Sequence, residues 1–236
     1  MPGKTGKGNI AEDQANILTE RDIVERIYIA IMEQRLVPGT RLPEAKLCEA
    51  FGVGRMRIRR ALLLLGNQGI VDLHSNRGAC IACPAPSEAR DVFATRQVIE
   101  PSISRWVIER ASDEDINRLR QHIELEEKAR ANHDRREMIR LSGDFHNQLA
   151  RASGNQVVTQ LIRELVTKTS LIIGMFGQAG TSSCPEQEHE DILQAISDRR
   201  ISTVERLIGQ HLKHIESDVN LSTPRKGEDD LVRILA

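Results

Sequence analysis

The stretch from Val53 to Val71 constrains the fold most strongly, because a basic beginning leads directly into an apolar run. Its first half holds four arginines and no acidic residue, its second half begins with the apolar segment Ala61–Leu65, and Gly69 lies at its end. A helix of this composition packs its apolar part on a core and offers its N-terminal turn to an anion. Phosphate suits both helix N-terminal amides and guanidinium groups. The stretch therefore predicts a helix that contacts nucleic acid.

The overall charge limits what kind of nucleic-acid site this can be. The chain has 33 basic and 34 acidic residues and a formal net charge of −1, so the site must be a local basic patch. Aromatic residues make up only 3% of the chain, which disfavours readers of single strands that stack bases on aromatic rings. A helix that reads duplex DNA needs no such rings.

The cysteines and the hydropathy pattern indicate the compartment. Cys80 and Cys83 form one C-x-x-C without a second pair, which disfavours a structural zinc ribbon. Small apolar residues in a reducing cytoplasm are the simpler interpretation of the four cysteines. The N-terminus lacks the apolar segment of a signal peptide, and no apolar run approaches the roughly 20 residues of a membrane span. We expect a soluble cytoplasmic protein.

The first third of the chain predicts a small DNA-binding domain. Residues 1–15 are polar and Gly-rich, and we expect a disordered arm there. Within residues 16–82, caps, glycines and prolines delimit three helices followed by a hairpin, which is the order of a winged helix-turn-helix. The predicted elements are helices at Thr19–Leu36, Glu44–Phe51 and Arg55–Gln68, and strands at Ile70–Leu73 and Ala79–Ala82.

The rest of the chain predicts a second, all-helical domain. Residues 83–87 form a Pro-rich linker, residues 88–222 show helical periodicity without strand-like alternation, and residues 223–236 form a flexible tail. The fold class is therefore mainly α, with a helical bundle of six to seven helices. The predicted helices are Glu88–Arg110, Asp113–Ala131, Arg135–Ala152, Gln156–Gly177, Glu186–Arg199 and Ile201–Leu221.

The N-terminal part resembles the DNA-binding domain of GntR-type bacterial repressors, and the C-terminal part resembles the FCD ligand-binding domain of the FadR branch. The resemblance covers Thr19 to about Leu221, and its strength lies in the order and spacing of short phrases. These are V-P-G-T-R-L-P-E (Val37–Glu44), F-G-V-G-R (Phe51–Arg55), I-R-R-A-L (Ile58–Leu62), N-Q-G-I-V (Asn67–Val71), N-R-G (Asn76–Gly78), R-x-x-x-E (Arg96–Glu100), F-H-x-x-L-A-x-A-S-G-N (Phe145–Asn155), E-H-E-D-I (Glu188–Ile192) and H-L (His211–Leu212).

The resemblance implies that the third helix enters the major groove of DNA and that the wing tip approaches the minor groove. The chain departs from the family where Gly54 and Met56 replace hydroxyl residues and Arg57 replaces Thr or Pro, which predicts a changed operator and a stronger dependence on salt. Arg60 stands where the family commonly has Glu. The implied DNA-binding residues are Arg41, Arg55, Arg57, Arg59, Arg77 and Gly78, and a solvated basic helix face is the alternative.

Three of the seven histidines, His146, His189 and His211, match metal-ligand positions of the family. They suit a divalent transition metal such as zinc, nickel, iron or manganese. The family's fourth ligand, an Asp or Asn, is replaced by Ser142. Asp144 is not a substitute, since it projects about 200° around the helix from His146. We therefore expect a three-histidine site with open positions.

The remaining histidines receive other interpretations. His122 and His133 are interpreted as hydrogen-bonded helix residues. His214 lies one turn after His211 and is an alternative ligand, although the H-L phrase favours His211.

Arg96 matches the family arginine that lines the effector cavity. A guanidinium there would bind a carboxylate of a small organic acid, which is the effector class that the resemblance implies. Glu100 lies four residues later and can hold Arg96 in an intrahelical ion pair, a role compatible with the first.

The leading hypothesis is a ligand-responsive transcriptional regulator, with repression as the expected mode, that binds a palindromic operator on double-stranded DNA as a homodimer. The effector would shift the equilibrium between two arrangements of the DNA-binding domains. One alternative is a metal-dependent enzyme that uses the three histidines, although no nucleophile motif or general base accompanies them. Another is an architectural DNA-binding protein without an effector.

Overall fold

The computed structural model describes residues 18–75, 78–177, 187–222 and 235. The predicted disordered arm at residues 1–15, the wing-tip residue Arg77 and all of the predicted tail except Leu235 lie outside the described residues.

The N-terminal domain is a winged helix-turn-helix, as predicted. Helix α1 begins with a capping box in which Thr19 and Asp22 bond each other's backbone amides, and Gly52 ends α2 in the left-handed conformation. The three strands form one antiparallel sheet in the order β1-β3-β2. The elements are α1 (Glu20–Met32), β1 (Arg41–Leu42), α2 (Glu44–Phe51), α3 (Arg55–Asn67), β2 (Val71–His74) and β3 (Gly78–Ile81).

Helix α1 ends four residues before the predicted boundary at Leu36. Gln34 adopts a φ of 54°, and the amides of Arg35 and Leu36 both donate to the carbonyl of Ala30. This left-handed turn closes the helix ahead of the Pro38–Gly39 pair on which the prediction relied.

The described residues of the C-terminal domain form a bundle of seven helices, which agrees with the predicted class. The predicted single helix Glu88–Arg110 is wrong, because Pro101 lacks an amide to donate and the chain divides into two helices there. The bounds of α6 and α7 are those predicted, and the later helices end one to four residues early. The helices are α4 (Pro86–Ser102), α5 (Ser104–Arg110), α6 (Asp113–Ala131), α7 (Arg135–Ala152), α8 (Gln156–Phe176), α9 (Glu188–Ser197) and α10 (Ile201–Ser217).

Each domain has its own hydrophobic core, and each core includes a residue from the other domain. Met32, the last residue of α1, packs into the core of the helical bundle. Leu171 of α8 and Leu235 pack into the core of the N-terminal domain. Helix α1 therefore contacts α7 and α8 directly, in addition to the covalent linker.

Within the part of the chain that the structure describes, no helix combines the length and the apolar character needed to cross a bilayer.

The burial of α3 generates a prediction about its orientation. Leu65 is fully buried whereas its neighbour Leu64 is 45% exposed. We expect Leu65→Ala to lower the free energy of unfolding by about 2–5 kcal/mol, because the substitution leaves a cavity in a close-packed core. Leu64→Ala is the matched control and should change it by about 0.5 kcal/mol or less. Urea titration measures both, and equal effects would contradict this orientation of α3.

Candidate nucleic-acid interface and histidine cluster

The N-terminus of α3 is free to bind an anion. Its N-cap is Gly54, which has no side chain with which to cap the helix, and the first turn holds no acidic residue. The carbonyl of Gly54 accepts from the amides of Arg57 and Ile58, whereas the first amides of a helix have no intrahelical acceptor. Because Gly54 replaces a residue with a hydroxyl, no side chain caps the first amides of α3, and these amides point out of the helix end.

The arginines around this turn differ in their partners. Arg41 and Arg55 are exposed and form no salt bridge with any described residue. Arg59 donates from Nε to Oε1 of Glu44 at 2.8 Å, and Arg60 lies 3.5 Å from Glu20 of α1. The pair links α3 to α1, but the Arg60 side chain is 68% exposed, so its contribution to stability is small.

Two further predicted DNA contacts lie on the same domain. Arg57 is half-buried, and Gly78 opens β3 at the wing with a φ of 75°. An added Cβ at Gly78 would meet no atom within 4 Å, so its glycine is required by the backbone conformation and not by crowding.

The three predicted metal-ligating histidines meet inside the helical bundle. His146 of α7, His189 of α9 and His211 of α10 are all buried, and their candidate ligand atoms lie within 4.8 Å of one another. The Nε2 atom of His211 lies 3.0 Å from that of His146 and 3.1 Å from that of His189. Helices from three parts of the chain thus direct three imidazoles to one point.

A carboxylate lies behind each of these imidazoles. Oε2 of Glu100 lies 2.5 Å from Nδ1 of His146. Nδ1 of His189 donates to Glu126 at 2.8 Å, and Nδ1 of His211 donates to Glu188 at 2.7 Å. Such carboxylates orient a ligating histidine and keep its proton on Nδ1.

Burial favours the uncharged form of two of the three imidazoles. Burial is the main cause that lowers the pKa of His146 and lowers that of His211 well below its ordinary value. The pKa of Glu126 falls to about 2: burial opposes ionisation, but the nearby His189 and a hydrogen bond from His122 outweigh it. His146 and His211 are therefore free bases, and the carboxylate behind His189 is charged at neutral pH.

The donor set fits a divalent transition metal. Glu126 and Glu188 hold the protons of His189 and His211 on Nδ1, so the Nε2 lone pairs of these two imidazoles face each other across 3.1 Å, which is unfavourable without a cation between them. Nitrogens about 2.1 Å from one ion are separated by about 3.0 to 3.4 Å in octahedral or tetrahedral geometry.

Arg96 lies beside this cluster and is almost completely buried. Its Nε donates to Oε1 of Glu100 at 2.5 Å and one Nη1 hydrogen goes to Thr169 Oγ1 at 3.0 Å. Among the described residues, Nη2 of Arg96 is a buried donor without an acceptor. Such a donor is costly to bury unless a ligand oxygen satisfies it.

The structure also locates the other residues considered from the sequence. Ser142 is buried one turn before His146. Asp144 points away from the cluster, with Oδ2 4.0 Å from Nδ1 of His122. His122 bonds the carbonyl of Leu141 and the amide of Gln148, as expected for a structural residue.

His133 and His214 lie at the surface. His133 is exposed on the turn between α6 and α7, and the His214 side chain is 54% exposed although its Nδ1 contacts Glu188. The geometry therefore brings His211, and not His214, into the cluster.

Sequence reasoning missed Glu126 and Glu188 as partners of the histidines. Glu188 directly precedes His189 but contacts His211 on another helix, so no spacing rule links the pair. Glu126 lies four residues after His122, and this helical spacing was the one available signal for a buried polar position on α6.

Comparisons with known families cover most of the chain. Residues 91–214 match the family described as FCD domain, and residues 19–81 match the family described as bacterial regulatory proteins, gntR family. The two matches divide the chain at the linker.

Individual relatives match both domains together. The chain is 24% identical over 185 residues to the HTH-type transcriptional repressor RspR of Escherichia coli strain K12, covering 78% of this chain and 81% of that protein. It is 25% identical over 198 residues to the galactonate operon transcriptional repressor of the same strain, covering 73% and 86%. The solved structure of E. coli McbR/YncC has the same fold, with a TM-score of 0.75 at 14% identity over 86% of this chain and 97% of that one.

The buried pair of Arg96 and Glu100 generates a stability prediction. Glu100→Leu leaves a buried guanidinium without its anion, and we expect it to lower the free energy of unfolding by about 3–5 kcal/mol. The double variant Arg96→Met/Glu100→Leu removes both charges and should recover most of this loss. Glu114→Ala breaks the equally spaced but exposed pair with Arg118 and should have no measurable effect. Thermal and urea unfolding test this, and a double variant as unstable as Glu100→Leu would contradict it.

Proposed function

The chain belongs to the GntR family of bacterial transcriptional regulators with an FCD domain, and on this premise we propose that it represses transcription as a homodimer on a palindromic operator and responds to a small carboxylate. A ligand-responsive, DNA-binding regulator is what the family and the named relatives support. The operator symmetry would follow from a two-fold axis that relates two copies of α3.

The observation that carries the DNA-binding proposal is the exposed Arg55 on the uncapped N-terminal turn of α3. Arg55 has no acidic partner among the described residues, so binding DNA requires no internal ion pair to break there. Arg55 would make a bidentate contact with a guanine edge, and the outward amides of the first turn would bind a phosphate. Arg41 and the wing would fix the orientation of the domain through backbone contacts.

The effector proposal rests on the unsatisfied donor of Arg96. A carboxylate that accepts from Nη2 would complete the hydrogen bonding of a guanidinium that is already held by Glu100 and Thr169. His146, His189 and His211 would hold a zinc, nickel, iron or manganese ion, whose remaining positions would be available to oxygen atoms of the same ligand. A relative is named for the galactonate operon, and galactonate carries a carboxylate.

The alternatives have less support. The family and its relatives are transcriptional regulators, so the metal-dependent enzyme is not favoured. An architectural protein without an effector would leave the buried Nη2 donor of Arg96 without an acceptor, which is costly.

The DNA-binding proposal predicts the effect of Arg55→Ala. An operator is first selected from a random duplex library with the full-length protein, and affinity is then measured by fluorescence anisotropy. Arg55→Ala should weaken binding by about 5- to 150-fold, which corresponds to the loss of a bidentate base contact of about 1–3 kcal/mol.

A charge-matched control separates contact from net charge. Arg105→Ala removes one exposed arginine of α5 and should leave operator affinity nearly unchanged. The proposal is wrong if no sequence is enriched in the selection, or if Arg55→Ala binds as tightly as the wild type.

The metal proposal predicts different effects for two histidines one turn apart. His211→Ala removes a buried ligand and should weaken Zn²⁺ binding by more than about 100-fold. His214→Ala removes an exposed imidazole that touches the same Glu188, and should weaken it by less than about tenfold. The measurement is competition with a chromophoric chelator on protein purified without nickel resin and treated with chelator.

Two results would refute the metal proposal. One is a wild-type protein that takes up neither Zn²⁺ nor Ni²⁺ in stoichiometric amount. The other is an equal loss of affinity in the two alanine variants, which would indicate an indirect effect through Glu188.

A further inference from the structure

The end of α1 is attached to the helical domain by a small set of contacts that we call the hook, comprising Met32 and Gln34. Gln34 Nε2 donates to the carbonyl of Ser170 at 2.8 Å and lies 2.9 Å from its hydroxyl. The Ser170 hydroxyl lies 3.2 Å from the carbonyl of Ile31 and donates to it. The last turn of α1 is thus bonded to the middle of α8 by both side chain and backbone.

Glycines on the neighbouring helices leave space for the two side chains of the hook. A Cβ at Gly174 of α8 would lie 2.5 Å from the Gln34 amide oxygen, and a Cβ at Gly143 of α7 would lie 2.3 Å from Cε of Met32. Both glycines therefore provide room that an alanine would fill. Gln34 itself adopts a left-handed φ of 54°, which is unfavourable for a non-glycine residue and is compensated here by its contacts.

The residue next to Ser170 contacts the buried side chain of Arg96. Thr169 accepts a hydrogen bond from Nη1 of Arg96 at 3.0 Å, and its own hydroxyl donates to the carbonyl of Leu165 at 2.9 Å. Two consecutive residues of one continuous helix therefore contact different domains: Thr169 contacts Arg96 of the helical domain, and Ser170 contacts the hook.

We propose that Thr169 and Ser170 of α8 form the joint through which ligand binding at Arg96 sets the position of the DNA-binding domain. This inference rests on the proposed function, since it assigns a route for the response to the effector. A carboxylate that accepts from the spare Nη2 of Arg96 attracts the guanidinium and thereby changes the geometry of its existing bonds to Glu100 and Thr169. Because α8 is hydrogen-bonded along its length, a shift at Thr169 moves Ser170 and the hook with it.

The first experiment needs no ligand. Thr169→Val removes the hydroxyl that Arg96 binds, and hydrogen exchange of residues 29–36 reports on the hook. The matched control is Thr167→Val, because the Thr167 hydroxyl makes the same bond to the carbonyl four residues earlier. Thr169→Val should speed this exchange by about fivefold, the equivalent of one lost buried hydrogen bond, relative to Thr167→Val.

A conservative variant guards against a merely structural effect. Thr169→Ser keeps the hydroxyl and should retain wild-type exchange at residues 29–36. Equal exchange in Thr169→Val and Thr167→Val would overturn the proposal, and so would faster exchange in Thr169→Ser.

The second experiment removes the contact between Gln34 and Ser170. Gln34→Gly removes the hook amide while glycine tolerates the left-handed φ. Its control is His133→Gly, at another left-handed position that is exposed and lies outside the hook. Thr169→Val should change operator affinity by about fivefold in the wild-type and His133→Gly backgrounds, but by less than about twofold in the Gln34→Gly background.

The outcomes separate the two proposals. If Thr169→Val changes operator affinity equally in both glycine backgrounds, the proposed joint is wrong, whereas the proposed function as a DNA-binding regulator still stands. Failure to select any operator refutes the DNA-binding proposal, and the exchange experiment still decides whether Thr169 controls the hook.

Discussion

The buried carboxylate of Glu100 is the contact on which the helical domain depends most, because its two oxygens hold two different functional groups. Oε1 lies 2.5 Å from Nε of Arg96 and Oε2 lies 2.5 Å from Nδ1 of His146. Burial alone would raise its pKa, but the charge of Arg96 and the contact with His146 outweigh burial and lower the pKa to about 2. Glu100 is thus an anion at any physiological pH. One fixed charge thereby orients both the arginine available to a ligand and a histidine available to a metal, so a change at either is felt at the other.

Local signals were sufficient for most of the fold. Ser112 and Asp115 mark the start of α6 by a capping box that is readable in the sequence, and the bounds of α2, α6 and α7 were predicted correctly. The boundaries and elements that were predicted wrongly are those set by contacts with distant residues or by an unusual backbone conformation. The two-residue strand β1 exists because Arg41 and Leu42 pair with β3, nearly forty residues later, and a strand so short has no periodicity of its own. The left-handed turn at Gln34 follows from contacts with α8 that no local rule predicts.

In the candidate site, too, some residues were predicted from the sequence and others were not. The three histidines and Arg96 were identified by resemblance, and the structure brings His146, His189 and His211 together. The carboxylates behind them were not identified, since Glu126 and Glu188 each contact a histidine on another helix. Their positions depend on how α6, α9 and α10 pack, which is a property of the tertiary structure. Ser142 shows the reverse case, because the sequence alone revealed that an oxygen ligand of the family is absent there.

The basic run that begins α3 is less charged than its composition indicates. Arg59 and Arg60 are partnered by Glu44 and Glu20, and the charges of Arg57 and Arg60 both act on Glu20. An arginine that is already paired with a carboxylate gains less binding free energy from a phosphate, because it must give up one anion to bind another. Its net contribution to the release of counterions from DNA is correspondingly smaller. The unpaired positive charge at this helix start is therefore chiefly that of the exposed Arg55. If α3 enters the major groove as proposed, the exposed Arg55 would carry most of the sequence preference through its contacts with base edges.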